Sequence, residues 1–125
     1  MSSKATVDLI YHDPKRDAFI LIVVEKGPWT DGDSIGHMRK LQERLNDHVD
    51  IALFGALAQK YPDSQGKPVV IRLDGYDTPE EVESFFHRFS ETTLASSEVQ
   101  SAIAEHGHVS NLLFEYHRDT LKKGA

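Results

Sequence analysis

The sequence contains no cysteine. Disulfide frameworks, thiolate metal sites and cysteine nucleophiles are therefore excluded, and the composition fits a reducing cytoplasm. No apolar run approaches the roughly 20 residues that a membrane-spanning helix requires. The opening residues, Met1-Ser2-Ser3-Lys4-Ala5-Thr6, place no apolar stretch behind a basic end, so no signal peptide is expected. Basic charge is not in excess either. With 14 Lys and Arg against 20 Asp and Glu, the net charge is −6. Neutralising phosphates calls for a basic face, so nucleic acid is not an expected partner, and without a spanning run neither is a membrane. The densest basic cluster, Arg39-Lys40 with Arg44, is interrupted by Glu43 and Asp47 and reads as a solvated helix face. Also missing are a Gly-x-Ser-x-Gly elbow, a P-loop and a dinucleotide-binding glycine pattern. No catalytic residue is assigned and no cofactor is expected.

What remains is a chain of 125 residues with 39% hydrophobic and 27% charged side chains. These values suit one soluble domain over 1–125, with 1–5 and 119–125 frayed. Val7 to His12 alternates, with Val7, Leu9 and Tyr11 on one face and Asp8, Ile10 and His12 on the other. Asp13-Pro14-Lys15-Arg16-Asp17 supplies turn chemistry. Phe19 to Val24 is apolar at every position and β-branched in part, which predicts a central strand buried on both faces. The two strands form a hairpin, followed by a loop from Gly27 to Asp33 that holds Pro28 and Trp29. Asp33 or Ser34 caps a helix predicted over Ile35 to Lys60, with Met38, Leu41, Leu45, Val49, Leu53 and Leu57 on its buried stripe. Gly55 interrupts that pattern.

Tyr61 to Pro68 is a loop, and Val69 to Leu73 a third strand with Val69, Ile71 and Leu73 inward and Arg72 and Asp74 outward. Thr78-Pro79-Glu80-Glu81 has the form of a capping box opening a helix with Val82, Phe85, Phe86 and Phe89 on its buried face. Ser97 with Gln100 reads as a second box, opening a short helix that ends before Gly107. Leu112 to Tyr116 is the last strand. The order ββα-β-αα-β predicts an α+β domain: a four-stranded mixed sheet with helices mainly on one face.

Several of these segments occur together in a known family. Val7-Asp8-Leu9-Ile10, His12-Asp13-Pro14, Val24-Glu25, Pro28-Trp29, Leu41-Gln42, Leu45-Asn46, Gly55, Tyr61-Pro62 and Gly66-Lys67-Pro68-Val69 run in the order of a family of small bacterial domains of unknown function, which this sequence resembles over its first seventy residues or so. The resemblance implies a bacterial cytosolic α+β protein and assigns no activity. Phe54 stands where the family pattern has a polar residue, and the likeness is lost from about Glu91 to His108.

Four groups of residues have both a functional and a structural reading. His106-Gly107-His108 would turn two imidazoles to one side of an extended segment, and zinc or iron would need a third ligand, with His12, His117 and Glu115 the candidates by type. The alternative is exposed or helix-capping histidines. His37, Arg44 and His48, with Asp47 and Asp50 nearby, share a helix face, as a general base or as a polar boundary. Asp8 and His12 share a strand face with about 13 Å between them, too far for contact; Glu25 and Asp13 come from the same hairpin. Trp29, beside Asp31 and Asp33, either anchors a partner or plugs the gap between hairpin and first helix. Ile51 and Phe54 fall off the buried stripe and widen the apolar surface of the first helix. The function these features favour is a non-enzymatic interaction or regulatory module, with a homodimer through the first helix as one form. The alternative is a small metal- or ligand-binding protein or enzyme that uses the histidines.

Overall fold

The computed structural model describes residues 9–119. Strands β1 (Leu9–Asp13) and β2 (Ala18–Lys26) form the hairpin, followed by helices α1 (Ser34–Leu53) and α2 (Ala56–Lys60), strand β3 (Lys67–Tyr76), helices α3 (Glu81–Ala95) and α4 (Ser97–His106), and strand β4 (Val109–Asp119). A single 3-10 turn, Pro62–Ser64, precedes β3. The sheet order is β1-β2-β3-β4, with β1 antiparallel to β2 and the other two pairings parallel. The predicted α+β architecture and mixed sheet are therefore those observed. Val7 and Asp8 of the predicted first strand lie outside the described residues, as do the predicted frayed ends apart from Asp119.

The uninterrupted apolar run of β2 follows from its place between β1 and β3. Phe19, Leu21 and Val23 join Val69, Ile71, Leu73 and Leu112 beneath the helices, where Leu41, Leu45, Val49, Val82 and Phe86 complete the main core. Alternate residues of β2 and β3 point to the opposite face, where Ala18, Ile20, Ile22 and Val70 form a second buried cluster. Polar side chains also meet on this face. Arg16 bonds Asp13 and Glu115, and Arg72 grips Asp74 through two bonds of 2.7 and 2.8 Å. Arg72 and Asp74 thus point away from the helices as predicted, but Asp74 is buried by its partner.

Three predicted helix ends move. The helix over Ile35 to Lys60 is two helices, because Gly55 adopts φ +101° and starts a new turn. A side chain there would be strained, and its Cβ would come within 3.0 Å of His108 Nε2. The Thr78 capping box does not form: α3 begins at Glu81, its N-cap Glu80 makes no side-chain cap bond, and Thr78 is buried. At α4 the cap is Ser96, one residue before the predicted Ser97, and its side chain accepts from the Val99 amide. Gln100 turns back instead to the Leu94 carbonyl at 2.8 Å. Strands β3 and β4 are longer than the apolar runs that announced them, because their mutual backbone pairing continues beyond those runs at both ends.

Candidate functional site

A groove follows the seam between α1 and α3. On α1 the stripe of Leu41, Leu45, Val49 and Leu53 enters the core. The adjacent stripe, which includes Gln42 and Asn46, is exposed and lines the groove. Three hollows of about 490, 340 and 280 Å³ lie in series along it. Ile35, Met38 and Glu81 border the first; Gln42 and Phe85 are shared by the first and second; Asn46, Thr92 and Thr93 by the second and third. The third ends at Asp50, Leu53, Phe54 and Val99. In both the Leu41-Gln42 and Leu45-Asn46 pairs, the leucine lies in the core and the amide on the groove.

Of the residues assigned to an interaction surface from sequence, Phe54 lies at one end of the groove, 58% exposed. Ile51 is half-buried and packs against the main core, so it contributes little free surface. Ile35, 73% exposed at the other end, was not anticipated. A bulky apolar residue one position past the helix's first residue, off the core stripe, was the available signal.

Trp29 occupies the corner between β2 and α1. It is half-buried against the main core, its Nε1 donates to Glu25 at 3.1 Å, and its ring stacks on His37 at 5.0 Å. Arg44 reaches over from α1 to donate to Glu25 at 2.8 Å and to the Val24 carbonyl at 2.7 Å. Asp31 accepts from the Asp33 amide and contacts His37, and these two partners hold its carboxyl below the usual range. Asp33 caps α1 by accepting from the Gly36 amide. In this corner the ring fills the gap between the hairpin and the first helix, and its polar neighbours are occupied in holding the loop.

His48, expected to share a polar face with His37 and Arg44, is buried, with Nδ1 2.7 Å from the Arg44 carbonyl oxygen. Asp50 is exposed but partly desolvated, and this, followed by the neighbouring Asp47 carboxylate, raises its pKa. His106 and His108 do come together, with rings stacked 6.0 Å apart. His108 Nδ1 lies 3.2 Å from Gln65 Oε1, and the His106 ring meets the edge of Phe54. Among the described residues no group of three His, Cys, Asp or Glu side chains is arranged to hold a metal ion. The proposed third ligands are elsewhere: His12 contacts Asp17, and Glu115 bonds Arg16 with His117 at 3.8 Å. Asp13 accepts from the Lys15 amide and from Arg16, as turn chemistry requires, and Arg16 holds its pKa low. Glu25 is at the opposite end of β2 from the residue paired with His12, so the hairpin carboxylates and His12 do not converge.

Two buried hydroxyls sit beside Gly75 of β3. A Cβ on Gly75 would lie 2.8 Å from Thr78 Oγ1 and 3.2 Å from Tyr116 Oη, so the glycine makes room for both. Neither oxygen has a hydrogen-bond partner among the described residues. A buried hydroxyl without a partner stabilises nothing through its oxygen. Tyr116→Phe is therefore expected to leave the unfolding free energy unchanged or to raise it by up to about 1 kcal/mol. Urea denaturation checks this, and a loss beyond about 1 kcal/mol would reveal a bond to the hydroxyl in solution.

No helix among the described residues is long and apolar enough to cross a membrane. Comparison with curated proteins finds no match, and neither does comparison with solved structures. A family model does match, over residues 1–105, and its description is a family of unknown function, DUF6572. The match reaches well past the first seventy residues, through α3 and nearly to the end of α4, so the loss of likeness expected from Glu91 onward is not observed before residue 105.

Proposed function

We propose that this chain, which belongs to that family of unknown function, is a non-enzymatic interaction module whose groove between α1 and α3 holds another polypeptide. The observation that carries this reading is the continuity of the groove. Its hollows share bordering residues from Ile35 to Phe54, a span of about 28 Å at helical rise. The floor is apolar through Met38, Phe85 and Phe89, the rim is polar, and an exposed apolar side chain stands at each end. An apolar centre with a polar border is the usual anatomy of a protein contact surface. The charged groups around Trp29 support the same reading, since each is engaged in fixing a loop or a helix start. The setting in this reading is the bacterial cytoplasm, which rests on the absence of cysteine and on the family resemblance.

A photo-activated crosslinking residue placed at Gln42 in living cells tests the proposal. Irradiation is expected to give a protein adduct at Gln42 and none at Lys15, an exposed position in the hairpin turn. No adduct at Gln42 would overturn the reading.

A further inference from the structure

We infer that the polypeptide held in the groove is a second copy of this chain, laid antiparallel about a twofold axis level with the point between Arg44 and Leu45. This rests on the reading of the groove as a protein-binding surface and names its occupant.

The inference comes from the order of side chains on the groove side of α1. Ile35, Arg39, Gln42, Asn46 and Asp50 succeed one another at three- and four-residue steps, and Phe54 follows four residues later. Such steps keep side chains on one side of a helix. Along the groove the stripe therefore reads apolar, cationic, amide, amide, anionic, apolar. Turned end for end, the same stripe presents an anion where the first has its cation, a cation where the first has its anion, and an apolar side chain at each end. Two antiparallel copies in a single register place Ile35 against the second copy's Phe54 and, in the same register, Arg39 against the second copy's Asp50. Both pairings are centred on the same point of the helix, which an isologous contact requires. Ile35 and Phe54 are 73% and 58% exposed, so each has apolar surface to cover.

On the second wall Glu81 borders the first hollow with Arg39, Arg88 borders the middle one, and Glu98 stands with Asp50 at the far one, so the end-to-end change of sign is carried by α1. Arg39, Arg88, Asp50 and Glu98 are all exposed, and none takes part in a salt bridge among the described residues. Asp50, whose ionised form is disfavoured by its surroundings, gains a guanidinium in the dimer. A parallel arrangement would set Arg39 on Arg39 and Asp50 on Asp50, and like charges in contact oppose association.

Charge exchange tests the arrangement in the full chain. Sedimentation velocity with light scattering is expected to give a concentration-dependent species of twice 14.1 kDa. Arg39→Glu and Asp50→Lys are each expected to weaken self-association at least about tenfold, because each homodimer then repeats two like-charge contacts. Mixing the two variants, or combining both substitutions in one chain, restores both contacts and is expected to return the affinity to within about threefold of the starting chain. Because both positions are exposed, both variants fold, and thermal melts of each variant verify this. A starting chain that is monomeric at every concentration overturns the inference, as do single variants without effect or a mixture that fails to recover. The groove reading is judged separately. A Gln42 adduct of any mass other than a doubled chain keeps that reading and overturns the second copy as occupant, whereas no adduct removes both.

Discussion

Replacing Phe86 by alanine is expected to lower the unfolding free energy by about 3–5 kcal/mol. The side chain is 1% exposed and sits where α3 meets the sheet. Its ring lies 6.0 Å from Phe114 and 5.9 Å from Tyr116, and Phe89 approaches Phe114 from the next turn at 5.9 Å. Removing it takes away the transfer free energy of one ring and leaves a hollow between rigid neighbours on β4 that cannot collapse into it. Because domains of this size are stable by only about 5–15 kcal/mol, the loss is a large share of the total. The melting temperature is expected to fall by more than about 10 °C. Leu9→Ser, which removes an exposed apolar side chain on the edge strand β1, away from the groove, is the control and should change stability by less than about 1 kcal/mol. Equal effects from the two substitutions would mean that Phe86 is not at the centre of the core.

Gly27→Ala is expected to be nearly as damaging, for a different reason. An alanine Cβ at this position would lie 2.0 Å from the Asp77 carbonyl oxygen and 2.7 Å from its carbon. Both obstructing atoms are backbone, so no rotamer change relieves the overlap, and the chain after β2 must separate from the chain after β3. The Gly27 amide donates to the Tyr76 carbonyl oxygen at 2.7 Å, a bond that this separation would break. A loss of about 2–4 kcal/mol follows, from overpacking together with one broken backbone bond. Trp29 is the only tryptophan and lies two residues downstream, so its emission reports the displacement. A shifted spectrum with a lowered urea midpoint is the expected result. An unchanged midpoint would mean that the contact between these two loops is looser than 2.0 Å implies.

How much of this was legible in the sequence depends on the range of the cause. The strand β2 was readable because burial on both faces requires an unbroken apolar run, and Phe19 to Val24 supplies one. The α3 core face was readable from the spacing of Val82, Phe86 and Phe89. The break at Gly55 was only hinted at, because its cause includes the approach of His108 from the far end of α4, a contact invisible in local sequence. Thr78 looked like a cap for the same reason. Its spacing to Glu81 fits a capping box, but the turn after β3 buries the residue beside Gly75, and the helix starts without it. The groove was the least legible feature. It arises from the separation of α1 and α3, which depends on how both helices seat on the sheet. The sequence reading of Ile51 and Phe54 found one end of it, and Ile35 at the other end was missed.

The parallel course of β2 and β3 has a consequence for the groove. Each strand ends on the same side of the sheet and hands the chain to a helix that starts there, so α1 and α3 run in the same direction along the groove. Their peptide dipoles do not cancel. Each helix contributes the equivalent of about half a positive charge near Ser34 or Glu81, and about half a negative charge at its other end. The groove is therefore an electrical axis even before its side chains are considered, with a sign pattern that Arg39 and Asp50 extend. Two such axes brought side by side attract when they point in opposite directions and repel when they point the same way. The backbone alone thus favours the antiparallel pairing that the side chains of α1 specify.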